Sequence, residues 1–198
     1  MKKNRLEAFS DGVIAIIITI MVLDLRIPHG TDAAALAPVA PVLFNYALSF
    51  VFVGIYWNNH HHLFHAVHEV SGAIMWANLH LLFWLSLIPF VTGWMGENHF
   101  STLPTAVYGV VMMLSAIAYT ILQLAIIRSQ GTQSLLAGAI GRDRKGKFSM
   151  VAYVAAIGLA FVSSWVSIAI YVLVALIWLI PDTRIESALQ KSPQRESE

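Results

Sequence analysis

The fold is decided by the stretch Arg5-Leu6-Glu7-Ala8-Phe9-Ser10-Asp11-Gly12, which leads directly into the apolar run Val13–Leu23. Charged residues at the mouth of a segment that crosses a bilayer are costly and are usually functional. The apolar run has no small-residue cleavage site and is preceded by Asp11. We therefore expect a membrane span that is retained rather than a cleaved signal peptide.

The composition of the whole chain also indicates a membrane protein. Of the 198 residues, 58% are hydrophobic and only 12% are charged, which is typical of a polytopic membrane protein of the all-α class. The formal net charge of +1 gives no indication of a nucleic-acid partner. The sequence contains no cysteine, which excludes disulfides, thiolate catalysis and cysteine-ligated metals.

The apolar runs predict six transmembrane helices. A hydrocarbon core of about 30 Å needs roughly 20 apolar residues, and four runs meet this requirement: Ala8–Leu25, Val42–Trp57, Ile74–Trp94 and Ala106–Ile127. The fifth run, Phe148–Ile180, would reach about 50 Å as one helix. It is therefore predicted to form two spans with a turn near Ser163-Ser164-Trp165. We expect a single transmembrane domain over residues 1–181 and a short polar tail over residues 182–198.

Positive charges predict the orientation of these spans. Lysine and arginine collect in the short loops on the cytoplasmic side. With six spans and a cytoplasmic amino terminus, every lysine and arginine except Arg26 faces the cytoplasm. We therefore expect a multi-pass protein of the cytoplasmic membrane with both termini inside.

The predicted outer loops are Arg26–Pro41 and Met95–Thr105, and the first inner loop is Asn58–Val70. Pro89 is expected to kink the third span.

The first span carries one stripe of interest. At 100° per residue, Gly12, Ile16, Thr19, Ile20 and Leu23 share a face, whereas Ser10 and Asp11 point away from it. Because the helix is apolar all round, lipid contact, packing and pore lining all remain open for this stripe. For Asp11, a structural anchor paired with Arg5, Asn78 or a histidine is favoured over a proton relay.

A histidine-rich segment follows the second span. His61, His65 and His68 share a helical face at positions i, i+4 and i+7, which could present three imidazoles to a metal ion. A functional metal site would want a fourth ligand and supporting carboxylates, and the remaining histidines are scattered. We therefore expect hydrogen-bonding histidines, with no functional metal and no cofactor. No phosphate-binding glycine loop and no Ser/His/Asp arrangement indicates an enzyme.

The first helix resembles that of the prokaryotic relatives of the endolysosomal potassium channel called transmembrane protein 175. The resemblance rests on Arg-x-x-x-Phe-Ser-Asp-Gly-x-x-Ala-Ile-x-x-Thr over residues 5–19, supported by Trp57-x-x-His60 and Asn78-Leu79. It implies a homotetramer with six spans per subunit, in which the first helices line the pore and a ring of aliphatic side chains selects the ion. No Thr-Val-Gly-Tyr-Gly filter is present, and Tyr108-Gly109 is only a weak match.

Carried over residue by residue, the resemblance places the constriction at Ile16. Ile20 and Leu23 form further rings, and Thr19 forms a hydroxyl layer between them. A structural network is implied for a second set: Arg5, Phe9, Ser10, Asp11, His60 and Asn78.

The expected function is that of a potassium-preferring channel whose partners are potassium ions, membrane lipid and its own copies, with no nucleic acid. A proton-coupled cation transporter that uses Asp11 and the histidines is the first alternative. A membrane metalloenzyme built on His61, His65 and His68 is the second.

Overall fold

The computed structural model describes residues 3–65, 67, 69–130 and 144–179, and these residues are helical apart from their connections. The seven α-helices and one 3₁₀ helix have the following bounds: α1 Lys3–Leu23, 3₁₀ Ala33–Leu36, α2 Ala40–His65, α3 Gly72–Ser86, α4 Ile88–Glu97, α5 Thr102–Gln130, α6 Arg144–Leu159 and α7 Ser164–Leu179. The predicted tail, residues 182–198, lies outside the described residues. The all-α class is confirmed.

Four segments of the described chain are long and apolar enough to cross a membrane: Lys3–Leu23, Ala40–His65, Gly72–Glu97 and Thr102–Gln130. The fifth apolar run is divided into α6 and α7, which pack against each other after a turn over residues 160–163. Each of these helices has 16 residues and therefore rises about 24 Å. The predicted division into two helices is confirmed, with the turn slightly earlier than Ser163-Ser164-Trp165, and of the two helices α7 is the apolar one.

The third span is interrupted next to Pro89. Helix α3 ends at Ser86 and α4 begins at Ile88, with Pro89 in its first turn. A proline inside a helix removes one amide donor and clashes with the carbonyl four residues earlier. The predicted break near Pro89 is therefore present, and the residue between the two helices is Leu87.

The second span is longer than predicted. The segment Asn58–Val70 was expected to be a cytoplasmic loop, but α2 continues to His65. Packing extends the helix, because Leu63 and Phe64 are fully buried and the His60 ring stacks on Phe64 with centroids 4.4 Å apart. The first part of this segment therefore belongs to a helix end that is held in the core on one side, with His60 buried and His61 and His65 exposed.

Helix α5 lies centrally and contacts α3, α4, α6 and α7. Two polar contacts mark opposite ends of the bundle. Arg26 forms an ion pair of 2.7 Å with Glu97 beside the two predicted outer loops. Lys3 Nζ donates to the His65 carbonyl oxygen at 3.4 Å at the other end. Segments predicted to share a side of the membrane thus lie at the same end of the molecule.

Candidate functional site

Helix α1 has one buried face and one exposed face. The buried face is formed by Leu6, Ser10, Ile14, Ile17 and Met21, and α1 packs against α2, α3 and α4. The opposite side carries the stripe identified in the sequence: Gly12, Ile16, Thr19, Ile20 and Leu23, all exposed. Ile16 is 57% exposed and Leu23 is 79% exposed, whereas Ile17 is only 4% exposed. Within the described residues, the whole stripe is therefore left exposed.

Thr19 is the one hydroxyl on this stripe. Its Oγ1 lies 3.0 Å from the carbonyl oxygens of both Ala15 and Ile16, so its hydrogen is used within the helix. This local bonding of threonine to the preceding turn is common in membrane helices. The oxygen itself accepts no hydrogen bond within the described residues, and Thr19 is exposed.

A buried series of hydrogen bonds connects α1, α2 and α3 at the end of the bundle that is predicted to be cytoplasmic. Ser10 Oγ donates to the Leu6 carbonyl oxygen at 2.8 Å and accepts from Asn78 Nδ2 at 2.9 Å. His60 Nε2 lies 2.8 Å from Asn78 Oδ1. Because Oδ1 can only accept, this nitrogen carries the hydrogen. Ser10, Asn78 and His60 are at most 1% exposed. Their polar groups therefore depend on one another, rather than on water, for hydrogen bonds.

Asp11 accepts a hydrogen bond from a residue that was not predicted as its partner. Trp57 Nε1 donates to Asp11 Oδ1 at 3.1 Å. The expected partners of Asp11 were Arg5, Asn78 or a histidine, and the described residues show none of these bonded to it. The available signal was the spacing Trp57-x-x-His60, which puts the indole on the same face of α2 as the buried imidazole.

Two members of the expected network stand apart from it. Phe9 is 51% exposed, and Arg5 is exposed as well. Both residues lie on the side of α1 that turns away from the buried Ser10, because one residue along a helix is a rotation of about 100°. The part that Arg5 and Phe9 play in the network therefore stays a prediction.

The histidine-rich end of α2 contains a close pair. His61 Nε2 and His65 Nε2 are 3.0 Å apart, and the His61 ring lies over Trp57 with an interplanar angle of 20°. His68, the third member of the predicted face, lies outside the described residues. Within the part of the chain that the structure describes, no three histidine, cysteine or acidic side chains converge on a possible metal position.

A second series of buried polar residues lies nearer the predicted outer loops, and no spacing in the sequence groups its members. Asn45 Nδ2 donates to the Thr92 carbonyl oxygen, and Thr92 Oγ1 donates to Ser49 Oγ at 2.7 Å. Ser49 Oγ in turn lies 3.1 Å from the Tyr108 hydroxyl. These residues occur singly in apolar runs, so only the fold brings them together.

The Tyr108-Gly109 dipeptide serves packing. Tyr108 is completely buried, and a Cβ atom at Gly109 would lie 2.2 Å from the hydroxyl oxygen of Tyr171. The glycine is therefore required by the close approach of α7 to α5. This arrangement rules out a carbonyl filter built on the dipeptide within one chain.

The end of α1 beside the predicted outer loops opens on a cavity of about 590 Å³ that is lined by both charged and apolar residues. Asp24 follows α1 directly, and its carboxylate lies close to Gly93 of α4. Partial loss of hydration, and secondarily the negative charge of Glu97, raise the pKa of Asp24 above its ordinary value. Both carboxylates line the cavity, together with Arg26 and His29.

Comparison with known proteins places these features in a family. The sequence model of the family described as "Endosomal/lysosomal potassium channel TMEM175" matches residues 5–89. A protein named potassium channel from Chryseobacterium sp. (strain P1-3) is 55% identical over 192 residues, which cover 97% of this chain and 100% of that protein. A protein of the same description from Streptomyces collinus is 33% identical, with 88% of this chain and 90% of the relative covered.

A solved structure agrees with the fold. The crystal structure of a lysosomal potassium-selective channel TMEM175 homolog from Chamaesiphon minutus superimposes with a TM-score of 0.77 at 26% sequence identity. The match covers 91% of this chain and 97% of the other. The resemblance inferred from residues 5–19 is thereby confirmed. The chain is a member of the TMEM175 family.

Proposed function

We propose that this protein is a homotetrameric channel that conducts potassium ions passively across the membrane. The observation that carries the proposal is the exposed stripe on α1, which faces away from every other described helix of the chain. Four copies related by a central axis would bring these stripes together. The names of the relatives that match nearly the whole chain support the choice of potassium.

The constriction is assigned to Ile16, with Ile20 and Leu23 as further rings. Side chains of this size that converge on an axis leave an aperture too narrow and too apolar for a hydrated ion, so the closed barrier is steric and dewetted. Thr19 supplies oxygen lone pairs between these rings. Selection would then depend on how readily an ion sheds water next to an apolar ring and a hydroxyl layer.

The two groups of hydrogen bonds at the cytoplasmic end keep the pore-lining helix in position. The Ser10–Asn78–His60 chain fixes the rotation of α1 relative to α2 and α3, because Ser10 can reach Asn78 from only one face. The Asp11–Trp57 contact adds a second point of attachment on α2. Bonds between membrane helices are worth roughly 0.6 to 2 kcal/mol each, which is enough to favour one helix rotation.

The membrane assigned to the channel is the cytoplasmic membrane, with both termini in the cytoplasm. This orientation is supported by the placement of lysine and arginine and by the contacts at each end of the bundle, Lys3 to His65 and Arg26 to Glu97. The residues assigned to the site line the pathway of the ion. We assign them neither a cofactor nor an enzymatic reaction.

Flux from proteoliposomes tests the proposal. Liposomes loaded with potassium thiocyanate are diluted into potassium-free buffer at equal pH inside and out, so that the permeant anion carries the compensating charge, and the release of potassium is followed with an ion-selective electrode. We expect release that needs no proton gradient and is absent from liposomes without protein. Release that occurs only when a proton gradient is imposed would instead support the proton-coupled carrier.

A further inference from the structure

The His61–His65 pair is not used by the proposed ion pathway, and its geometry is unusual for two exposed side chains. Both residues lie on the last turn and a half of α2 and are exposed. Their Nε2 atoms are 3.0 Å apart, and their ring planes are at 87° to each other. Two imidazole nitrogens thus lie within hydrogen-bonding distance of each other at the surface.

We propose that His61 and His65 form a two-histidine binding site for a divalent transition metal ion such as Zn²⁺. Zinc binds histidine nitrogen at about 2.0–2.1 Å. For angles between about 90° and 110° at the metal, two such nitrogens are about 2.9–3.4 Å apart, which includes the separation in this structure. The separation of the two nitrogens therefore already matches that of two ligands on one metal ion, and rotation of the rings would direct both Nε2 atoms at it.

The proton balance of this step is simple. In the metal-free pair, one Nε2 carries a hydrogen that it shares with the other. Metal binding needs both imidazoles to be ligands through Nε2, so that hydrogen moves to Nδ1 or is released to solvent. No oxidant, reductant or other reactant takes part.

The site is open rather than closed. The described residues supply no third histidine or carboxylate to the same point, so water completes the coordination. Lys3, whose Nζ bonds the His65 carbonyl oxygen at 3.4 Å, brings a positive charge nearby that opposes a divalent cation. These two features predict a reversible site that is weaker than the closed four-ligand sites of structural zinc.

Binding at this position acts on the attachment of the pore-lining helix. The His61 ring is stacked on Trp57, and Trp57 in turn donates to Asp11 of α1. A metal that fixes the His61 ring also restricts the indole beneath it. Zinc should therefore raise the thermal unfolding midpoint, which goes beyond the proposed conduction and does not depend on it.

The test uses the full-length protein in detergent, freed of any affinity tag and of metal. Titration with zinc chloride in a calorimeter should give one ion per subunit, and an excess of Mg²⁺ should not compete, because Mg²⁺ prefers oxygen ligands. The variants His61→Gln and His65→Gln should each weaken binding at least about tenfold. His62→Gln is the matched control, because its ring lies edge-on to His61 at 5.8 Å outside the pair, and it should bind zinc as the parent does.

A second measurement keeps the proposal testable if a variant is poorly recovered. Diethyl pyrocarbonate modifies exposed imidazoles, and zinc should slow the modification of His61 and His65 in the parent protein, as read by peptide mass spectrometry. Unchanged modification rates in saturating zinc would overturn the proposal. Equal zinc affinity in the parent, His61→Gln and His65→Gln would overturn it as well, as would a comparable loss in His62→Gln.

Discussion

Asn78 Nδ2 donates to Ser10 Oγ at 2.9 Å, and both side chains are completely buried. This bond joins the third helix to the first, and the Oδ1 atom of the same amide accepts from His60 on the second helix. One side chain thus determines how three helices meet. A buried polar group that loses its partner costs the full desolvation of that group, so the arrangement tolerates little change.

The first prediction follows from this bond. Asn78→Leu keeps the approximate shape but leaves the His60 N–H without a partner. We expect the free energy of unfolding to fall by about 1–2 kcal/mol and the thermal midpoint in detergent to fall with it. Ser86→Ala is the control, because its exposed hydroxyl bonds only the Phe83 carbonyl of its own helix. Equal midpoints for the two variants would contradict the role of Asn78.

The apolar helices could be predicted from the sequence, but the orientation of α1 about its axis could not be decided. Run lengths predict where spans lie because the bilayer sets the length that each span needs, and positive charges predict their orientation because insertion keeps those charges in the cytoplasm. The periodicity of apolar residues does not identify the buried face of α1, because Ile14, Ile17 and Met21 are as apolar as Ile16 and Ile20. Only contact with α2, α3 and α4 shows which of these residues are covered.

The polar partners were predicted in part, for a similar reason. Asn78 and His60 could be assigned with Ser10 because the resemblance to a known family carried them. Trp57 was missed as the partner of Asp11 because an indole at a span end reads equally well as a lipid anchor. The outer chain of Asn45, Ser49 and Thr92 was missed because isolated polar residues show no spacing that groups them before the helices are packed.

The second prediction concerns Asp11 and Trp57. Asp11→Asn replaces a charge-assisted hydrogen bond by a neutral one, which is about half as strong. We expect a lower thermal midpoint or a smaller fraction recovered as tetramer on gel filtration, with little change in flux per assembled channel. Trp57→Phe should have a similar effect, and the double variant should add little. Trp76→Phe serves as the control, because Trp76 is 71% exposed. Normal assembly of Asp11→Asn with a lost dependence on protons would favour the carrier instead.

The third prediction concerns metal removal. Conduction is assigned to side chains of α1 that bind no metal, so dialysis against EDTA should leave potassium flux from proteoliposomes unimpaired. Zinc at the site proposed at His61 and His65 stabilises a channel that conducts potassium without it. A complete loss of flux on chelation that zinc restores would show that a metal is required, and it would revive the metalloprotein alternative.

The fourth prediction concerns pH at the outer cavity. The pKa of Asp24 is higher in the folded protein than its ordinary value because of lost hydration and the charge of Glu97. A raised carboxyl pKa means that the folded state binds the proton more tightly, so this contribution to stability is complete below about pH 4 and is lost as pH rises towards the folded pKa. Asp24→Asn should remove that dependence, and its thermal midpoint should exceed that of the parent at pH 7 by more than at pH 4. Glu69→Gln, an exposed change at the other end of the bundle, should leave the pH dependence unchanged.

The last prediction tests the centre of the proposal at Ile16. Ile16→Asn should hydrate the narrowest ring, raise the potassium flux and reduce the preference for potassium over sodium, because a wet polar ring no longer demands dehydration of the ion. Val151→Asn is the matched control, since Val151 is a 70% exposed apolar residue on α6 and the same polar change there should leave flux and selectivity intact. Ile17→Asn places an amide in the core, where the parent residue is 4% exposed, and should mainly lower stability. If Ile17→Asn altered permeation in the assembled channel and Ile16→Asn did not, α1 would be rotated relative to the pore axis. If Ile16→Asn behaved like Val151→Asn, this helix would not line the pathway at all.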